Sequence, residues 1–206
     1  WENLKSHTAD TLSHTLAFSA EAYKKMFDSF SRDALRPLKS TLIKIVEEKA
    51  LMKKQRRSET RGLQRIDQQM AFERSTWYHL CTNSCQQMLN TLTRIGEPMK
   101  EHADNSFTPL DKKYLPEVES LKEKVLWSID AADITIYTSE YKDVDAIMER
   151  VKLREENVTE MSHEQMNRIQ HNKENIDLAL LYLNIIQESS TIITEMRHVL
   201  RNEAKM

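Results

Sequence analysis

Residues 176–201 read IDLALLYLNIIQESSTIITEMRHVLR, and this stretch decides the fold class. Its apolar residues recur at intervals of three and four, which is the spacing of one face of an α-helix. They form two adjacent stripes: one holds Ile176, Leu180 and Leu183, and the other holds Leu178, Leu181, Ile185, Ile192, Met196 and Val199. Two stripes make a broad apolar face, so we expect this helix to lie at the centre of a helical domain.

Five further segments show the same helical spacing, and the chain has few of the residues that tight turns need. Only 2 Gly and 4 Pro occur among 206 residues, 39% of which are hydrophobic. Strands joined by hairpins depend on such turn residues and are therefore disfavoured. We predict an all-α protein with six long helices, whose apolar stripes span residues 12–30, 35–70, 77–99, 118–136, 144–169 and 176–199. The residues expected in its core include Met88, Leu92, Ile95, Ile192 and Met196.

The six segments divide into two similar halves. Residues 63–66, LQRI, align with residues 166–169, MNRI, and a nearly equal offset of about a hundred residues pairs Leu92 with Met196. The pattern breaks at residues 105–110, which contain Pro109. We predict tandem antiparallel three-helix bundles, residues 1–105 and 106–206, packed as one domain. The alternative is that any two amphipathic helices can be aligned in this way.

The net charge and the cysteine spacing limit the kinds of partner and the cellular compartment that we expect. The charged residues nearly cancel to a formal net charge of -2, so no basic surplus indicates nucleic-acid binding. Cys81 and Cys85 are spaced i, i+4 on a predicted helix, where a disulfide would distort the backbone, so we expect reduced thiols and a cytosolic environment. The longest apolar run, residues 178–183, is far shorter than the roughly 20 residues of a membrane span. The chain opens at Trp1 without a Met, which suggests a fragment or a processed product.

The sequence offers one candidate metal site and no convincing catalytic arrangement. Glu97, Glu101, His102 and Asp104 cluster where the third helix is expected to end, and carboxylates with a histidine can hold iron or zinc when other helices contribute ligands. A solvated helix face is the alternative. His79 and Cys81 would point about 200 degrees apart on a helix and cannot form a nucleophile–base pair. We therefore predict that the protein is not an enzyme.

A basic run, residues 53–57 (KKQRR), allows two interpretations. Its cations could contact anionic phospholipid or nucleic acid. Alternatively, the flanking acids Glu47, Glu48 and Glu59 could neutralise a solvated helix face. The second interpretation is favoured, and no convergent site for phosphate is predicted.

Several motifs resemble one known family. Residues 92–97, LTRIGE, are similar to the Leu-Glu-Arg-Ile-Gly-Asp signature of PhoU-like proteins, which are tandem three-helix bundles that regulate bacterial phosphate uptake. Residues 97–105 (EPMKEHADN), residues 166–169 and residues 181–184 (LYLN) add to the similarity. Together they resemble the cytosolic PhoU-like domain of inorganic phosphate transporters in Bacteroides-type bacteria, from about Thr11 to Arg201.

The resemblance implies a function, which we state as an expectation. The chain would be a regulatory or assembly domain of a membrane inorganic phosphate transporter, at the cytoplasmic face of the bacterial inner membrane. Its partners would be the membrane part of its own transporter and a second copy of itself. A free-standing PhoU-type signalling adaptor is the nearest alternative. A ferritin-like metal carboxylate enzyme is a third, but it needs two Glu-x-x-His motifs and only Glu160 to His163 provides one.

The resemblance also bears on the metal prediction. Proteins of this family carry Glu-x-x-x-Asp motifs that bind iron or zinc clusters. Here Thr93 and Glu97 occupy those positions in the first half, and Arg197 and Arg201 occupy them in the second. An arginine in place of a ligand repels a cation, so we expect the purified domain to hold far less than one metal equivalent per chain.

Overall fold

The computed structural model describes residues 2–32, 34–63, 68–105, 108–172 and 175–205. Within these ranges the chain forms helices and no strand, which confirms the all-α prediction. The α-helices are α1 (Glu2–Ser31), α2 (Leu35–Leu63), α3 (Gln68–Asn105), α4 (Leu115–Thr138), α5 (Val144–His171) and α6 (Ile176–Ala204). A short 3-10 helix, Lys112–Tyr114, precedes α4.

The described turns are made without glycine, because both glycines of the chain lie inside helices. Ser139 follows the end of α4 with a φ of 55°, and Asn175 precedes α6 with a φ of 49°. This left-handed conformation is the usual place for glycine, although asparagine tolerates it better than most residues. Short connections of this kind bring consecutive helices side by side in antiparallel fashion.

Helix contacts fall into two groups of three. Each of α1, α2 and α3 packs against the other two, and so does each of α4, α5 and α6. The groups meet where α1 packs on α4 and α3 packs on α6. The end of α3 at Asn105 coincides with the predicted boundary between halves. An origin by duplication stays a prediction, and its 64–66 segment lies outside the described residues.

The core lies along the facing stripes of these helices. All five residues that the sequence predicted for it, Met88, Leu92, Ile95, Ile192 and Met196, are buried. One polar pair in the core is hydrogen-bonded across the two groups of helices: the Tyr23 hydroxyl on α1 lies 2.9 Å from the Ser189 hydroxyl on α6, and both side chains are fully buried. Burial raises the pKa of Tyr23 far above its ordinary value, so the phenol stays protonated.

Two details of the predicted pattern are wrong. Met70 was placed at the end of the second helix, but it lies in α3, and Ile66 falls outside the described residues. The stripe through Ile176 and Leu180 was expected to be buried, yet these side chains are 42% and 48% exposed. The second buried face of α6 instead runs on the other side of its main stripe, through Tyr182, Ile186, Ile193 and Leu200.

The last helix is also the one segment among the described residues that is long and apolar enough to cross a membrane. The core helix of a water-soluble protein meets the same criterion of length and composition. In this fold α6 packs against α3, α4 and α5, which accounts for its apolar character. The predicted lack of a membrane span stays a prediction.

Candidate functional site: a groove between α3 and α6

On the side of α3 away from the candidate site, α1 and α2 approach closely at Gly96. A Cβ atom added at this residue would lie 2.6 Å from Leu42 Cδ2 on α2 and 2.7 Å from Met26 Sδ on α1. Both distances are shorter than van der Waals contact, so glycine lets the neighbouring helices approach α3 here. The preceding Ile95 is fully buried, and Glu97 and Pro98 of the next turn face α6 instead.

A concavity between α3 and α6 has a volume of about 790 Å³, and we call it the α3–α6 groove. It has an apolar floor that includes Pro98, Leu180 and Leu181. A leucine that is 48% exposed within a concave surface can be covered by an apolar group of a partner. The residues that line the groove are Thr93, Arg94, Glu97, Pro98, Glu101, His102, Asn105, Asp177, Leu180, Leu181, Asn184 and Glu188.

The rim of the groove is acidic. Four of its side chains are carboxylates, Glu97, Glu101, Asp177 and Glu188, and one, Arg94, is a fixed cation. Arg94 Nε donates to Glu188 Oε2 at 3.1 Å, which leaves the other three carboxylates as the excess charge. An apolar floor with a negative rim favours partners that combine apolar and cationic side chains.

Arg94 also connects the two walls of the groove. Its guanidinium bonds Glu188 on α6 and, at 2.8 Å, the Thr91 hydroxyl on its own helix. Its backbone carbonyl lacks the usual helical donor, because Pro98, four residues later, has no N–H. The side-chain amide of Asn184 on α6 donates to this carbonyl at 3.4 Å. Side-chain and main-chain atoms of one residue therefore both hold α3 to α6.

The four predicted metal ligands do not converge. Glu97, Glu101 and His102 line the α3–α6 groove, whereas Asp104 Oδ1 lies 3.3 Å from Lys39 Nζ on α2. The His102 Nε2 lies 2.7 Å from the carbonyl oxygen of Thr108. In the part of the chain that the structure describes, no three His, Cys, Asp or Glu side chains are grouped closely enough to hold a metal ion.

In each half, a cation lies at or beside one of the positions where the resemblance would put a metal ligand. Lys49 Nζ on α2 donates to Thr93 Oγ1 at 2.8 Å, and burial, together with nearby Arg94, lowers the pKa of Lys49. In the second half, Arg197 Nη1 lies 3.4 Å from Glu155 Oε2. These residues do not fit an iron or zinc cluster. Low metal content nevertheless stays a prediction, which elemental analysis of the purified protein tests.

The other candidate chemistry also lacks the required geometry. Glu160 and His163, the single ferritin-like pair, are both exposed on α5 instead of facing the interior. Cys81 and Cys85 are free and buried, as predicted. Burial and the nearby Glu203 raise the pKa of Cys81 far above its ordinary value, so the thiol is protonated and is a poor nucleophile.

The sequence analysis did not single out Glu203. This carboxylate is only 4% exposed, and it accepts hydrogen bonds from Cys81 Sγ at 3.1 Å and from the Tyr141 hydroxyl at 3.4 Å. Burial raises the pKa of Glu203. The one available sign was its spacing on α6, four residues after Val199 and seven after Met196, which places it on the buried stripe.

Comparison of the chain with protein-family models, with curated proteins and with solved structures finds no match.

Proposed function

We propose that this chain is a PhoU-like regulatory or assembly domain of a membrane inorganic phosphate transporter, at the cytoplasmic face of the bacterial inner membrane. It acts through protein contacts and has no chemistry of its own. The motif resemblance in residues 92–105 supports the family, and the α3–α6 groove, to which those same residues contribute one wall, supports the mode of action.

The acidic rim of the α3–α6 groove is the observation that carries the proposal. The cytoplasmic loops of membrane proteins are enriched in Lys and Arg. Among the described residues, no ion pair crosses the groove from Glu97, Glu101 or Asp177. The groove therefore offers such a loop three carboxylates together with the exposed side chain of Leu180. Glu97 lies 3.9 Å from Lys100 and also interacts electrostatically with Lys49, but its side chain is 53% exposed and therefore accessible to a partner.

The position of the groove explains how binding would be transmitted. One wall is α3 of the first helix group and the other is α6 of the second, so a ligand that spans the groove contacts both groups. Such a ligand affects transport only if it binds one arrangement of the two groups more tightly. A coupling free energy of about 1–3 kcal/mol would change activity several-fold.

Phosphate uptake by cells tests this proposal. Deletion of the domain from the transporter should leave uptake present, with an altered rate or an altered response to phosphate supply. Leu180→Glu should reproduce part of that change, because it places a charge on the apolar floor. Leu153→Glu is the matched control, since Leu153 on α5 is 57% exposed and does not line the groove.

Two results would contradict the proposal. One is unchanged uptake under every phosphate supply after deletion, with normal amounts of transporter in the membrane. The other is an equal effect of Leu180→Glu and Leu153→Glu, which would mean that the groove has no special role.

A further inference from the structure

A second concavity, between α2 and α3, gathers four cations. We call it the basic pocket; its volume is about 390 Å³, which is within the usual range for small-molecule sites. None of its lining residues carries a carboxylate, and none lines the α3–α6 groove. The lining residues are Lys49, Met52, Lys53, Arg56, Arg57, Gln86, Leu89 and Asn90.

The cations lie on one face of α2, where they repel one another. Lys49 and Lys53 are spaced i, i+4, and so are Lys53 and Arg57. Like charges at this spacing destabilise a helix. An anion bound between them would remove this cost.

The flanking acids, which the sequence suggested as partners for the basic run, are engaged elsewhere. Glu48 Oε1 lies 3.0 Å from His14 Nε2 on α1. Glu59 Oε1 lies 2.7 Å from His7 Nε2, and Glu59 Oε2 accepts a hydrogen bond from the Tyr78 hydroxyl at 2.5 Å. Among the residues described, no ion pair joins Glu47, Glu48 or Glu59 to the basic run. The predicted neutralisation of this face is therefore wrong.

The pocket is partly preorganised for a ligand. Arg56 Nη1 donates to Gln86 Oε1 at 2.8 Å, and Lys49 is held by Thr93, so two of the four cations have fixed positions. Lys53 and Arg57 are exposed and make no ion pair within the described ranges. Buried Met52 and Leu89 provide an apolar contact beside the cations.

We propose that the basic pocket binds a small molecule that carries phosphate with at least two negative charges. Arginine favours phosphate because its planar guanidinium matches two phosphate oxygens at once, and lysine adds a mobile point charge. The same chemistry is found in soluble phosphorylated metabolites and in the headgroup of an anionic phospholipid.

Isothermal titration calorimetry at low salt tests the site. The probes are pyrophosphate, ADP, and phosphatidylcholine vesicles with and without phosphatidic acid. We expect saturable binding of at least one phosphate-bearing probe, with an affinity that falls as salt is added. Binding of pyrophosphate or ADP would identify a soluble ligand, whereas binding only to vesicles that contain phosphatidic acid would identify a lipid headgroup.

Two double variants with equal loss of charge make the test specific. Lys53→Gln with Arg57→Gln should weaken binding about tenfold or more, since charge-assisted hydrogen bonds to two groups are lost. Lys142→Gln with Lys152→Gln removes the same charge from exposed positions outside the pocket and should leave the affinity unchanged.

Thermal unfolding separates lost binding from lost structure. The Lys53/Arg57 variant removes repulsion on α2, so its melting temperature without ligand should equal or exceed that of the wild type. The absence of binding to every probe would overturn the proposal. Equal weakening by both double variants would also overturn it, because it would show attraction to overall charge alone.

Discussion

The two groups of helices differ in the charged residue that packs at the middle of their second helix: it is a cation on α2 and a carboxylate on α5. Between α2 and α3, the cation Lys49 meets the neutral hydroxyl of Thr93. Between α5 and α6, the carboxylate of Glu155 meets the cation Arg197 at 3.4 Å. Thr93 and Arg197 are equivalent in the repeat alignment. At this position the second group pairs a cation with a carboxylate, whereas the first group pairs a cation with a neutral hydroxyl.

The neighbouring cations follow the same division. In the second group, the Arg154 guanidinium lies 3.5 Å from the centre of the Trp127 ring, and Arg168 pairs with Glu117 at 2.9 Å. In the first group, Lys53 and Arg57 have no such partner in the described ranges. Arg154 and Arg168 thus make contacts within the second group, whereas Lys53 and Arg57 remain exposed in the first.

The largest expected effect is on the free energy of unfolding, and it tests whether the cores of the two groups are equivalent. Leu92 and Met196, paired by the alignment, are both fully buried. Replacement of either by alanine should lower the free energy of unfolding by about 2–5 kcal/mol, because each leaves a cavity. Urea titration measures the change. A loss under half a kcal/mol for either variant would mean that its site collapses or is solvent-facing, and the equivalence would fail.

The second prediction compares the polar contacts directly. Glu155 Oε2 and Arg197 Nε are shielded from solvent and make no hydrogen bond within the described residues. Arg197→Ala should therefore cost about 1–3 kcal/mol, since it leaves a shielded carboxylate oxygen without its cation. Thr93→Val should cost only about 0.5–1.5 kcal/mol, because Lys49 can turn towards water.

The double variant Glu155→Gln with Arg197→Gln is the control for this pair. It removes both charges together, so it should cost less than Arg197→Ala alone. If Thr93→Val proved more costly than Arg197→Ala, the proposed contrast between the two groups would be reversed.

The smallest effect concerns Glu203, where the last helix of the second group meets Cys81 of the first. The pKa of Glu203 is raised in the folded protein, so the folded state holds its proton more tightly than the unfolded state. This contribution to stability is complete below the ordinary glutamate pKa and is lost as the pH rises through the raised value. Glu203→Gln should remove that part of the pH dependence, as measured by urea titration at several pH values. An unchanged profile would show that Glu203 does not cause it.

Helix formation could be predicted from the sequence because each segment carries its own apolar spacing. The start of α3 was not predicted, because the apolar spacing of the second segment continues through Leu63, Ile66 and Met70 without a break. For α6, periodicity identified the apolar stripes but not which of them a neighbouring helix covers. Leu180 and Ile186 are both apolar, yet only Ile186 faces the core.

The α3–α6 groove and the basic pocket could be predicted only in part, because each is formed by two helices. Glu97, Glu101 and His102 were found as neighbours in sequence, but their relation to Asp177 and Leu180 depends on how α3 packs against α6. The basic run was recognised, but its convergence with Gln86 and Asn90 depends on the packing of α2 against α3. Glu48 and Glu59 contact histidines of α1, and such a tertiary contact cannot be predicted from the spacing of residues within one helix.

Gly96 has a consequence for how this sequence can change through evolution. The space for a side chain at this residue is already filled by the ends of Leu42 and Met26, which come from two other helices. A larger residue at 96 therefore requires the side chains at 42 and 26 to move aside or to be smaller. Related sequences should show these three positions varying together, with their combined volume conserved more closely than the identity of any one of them.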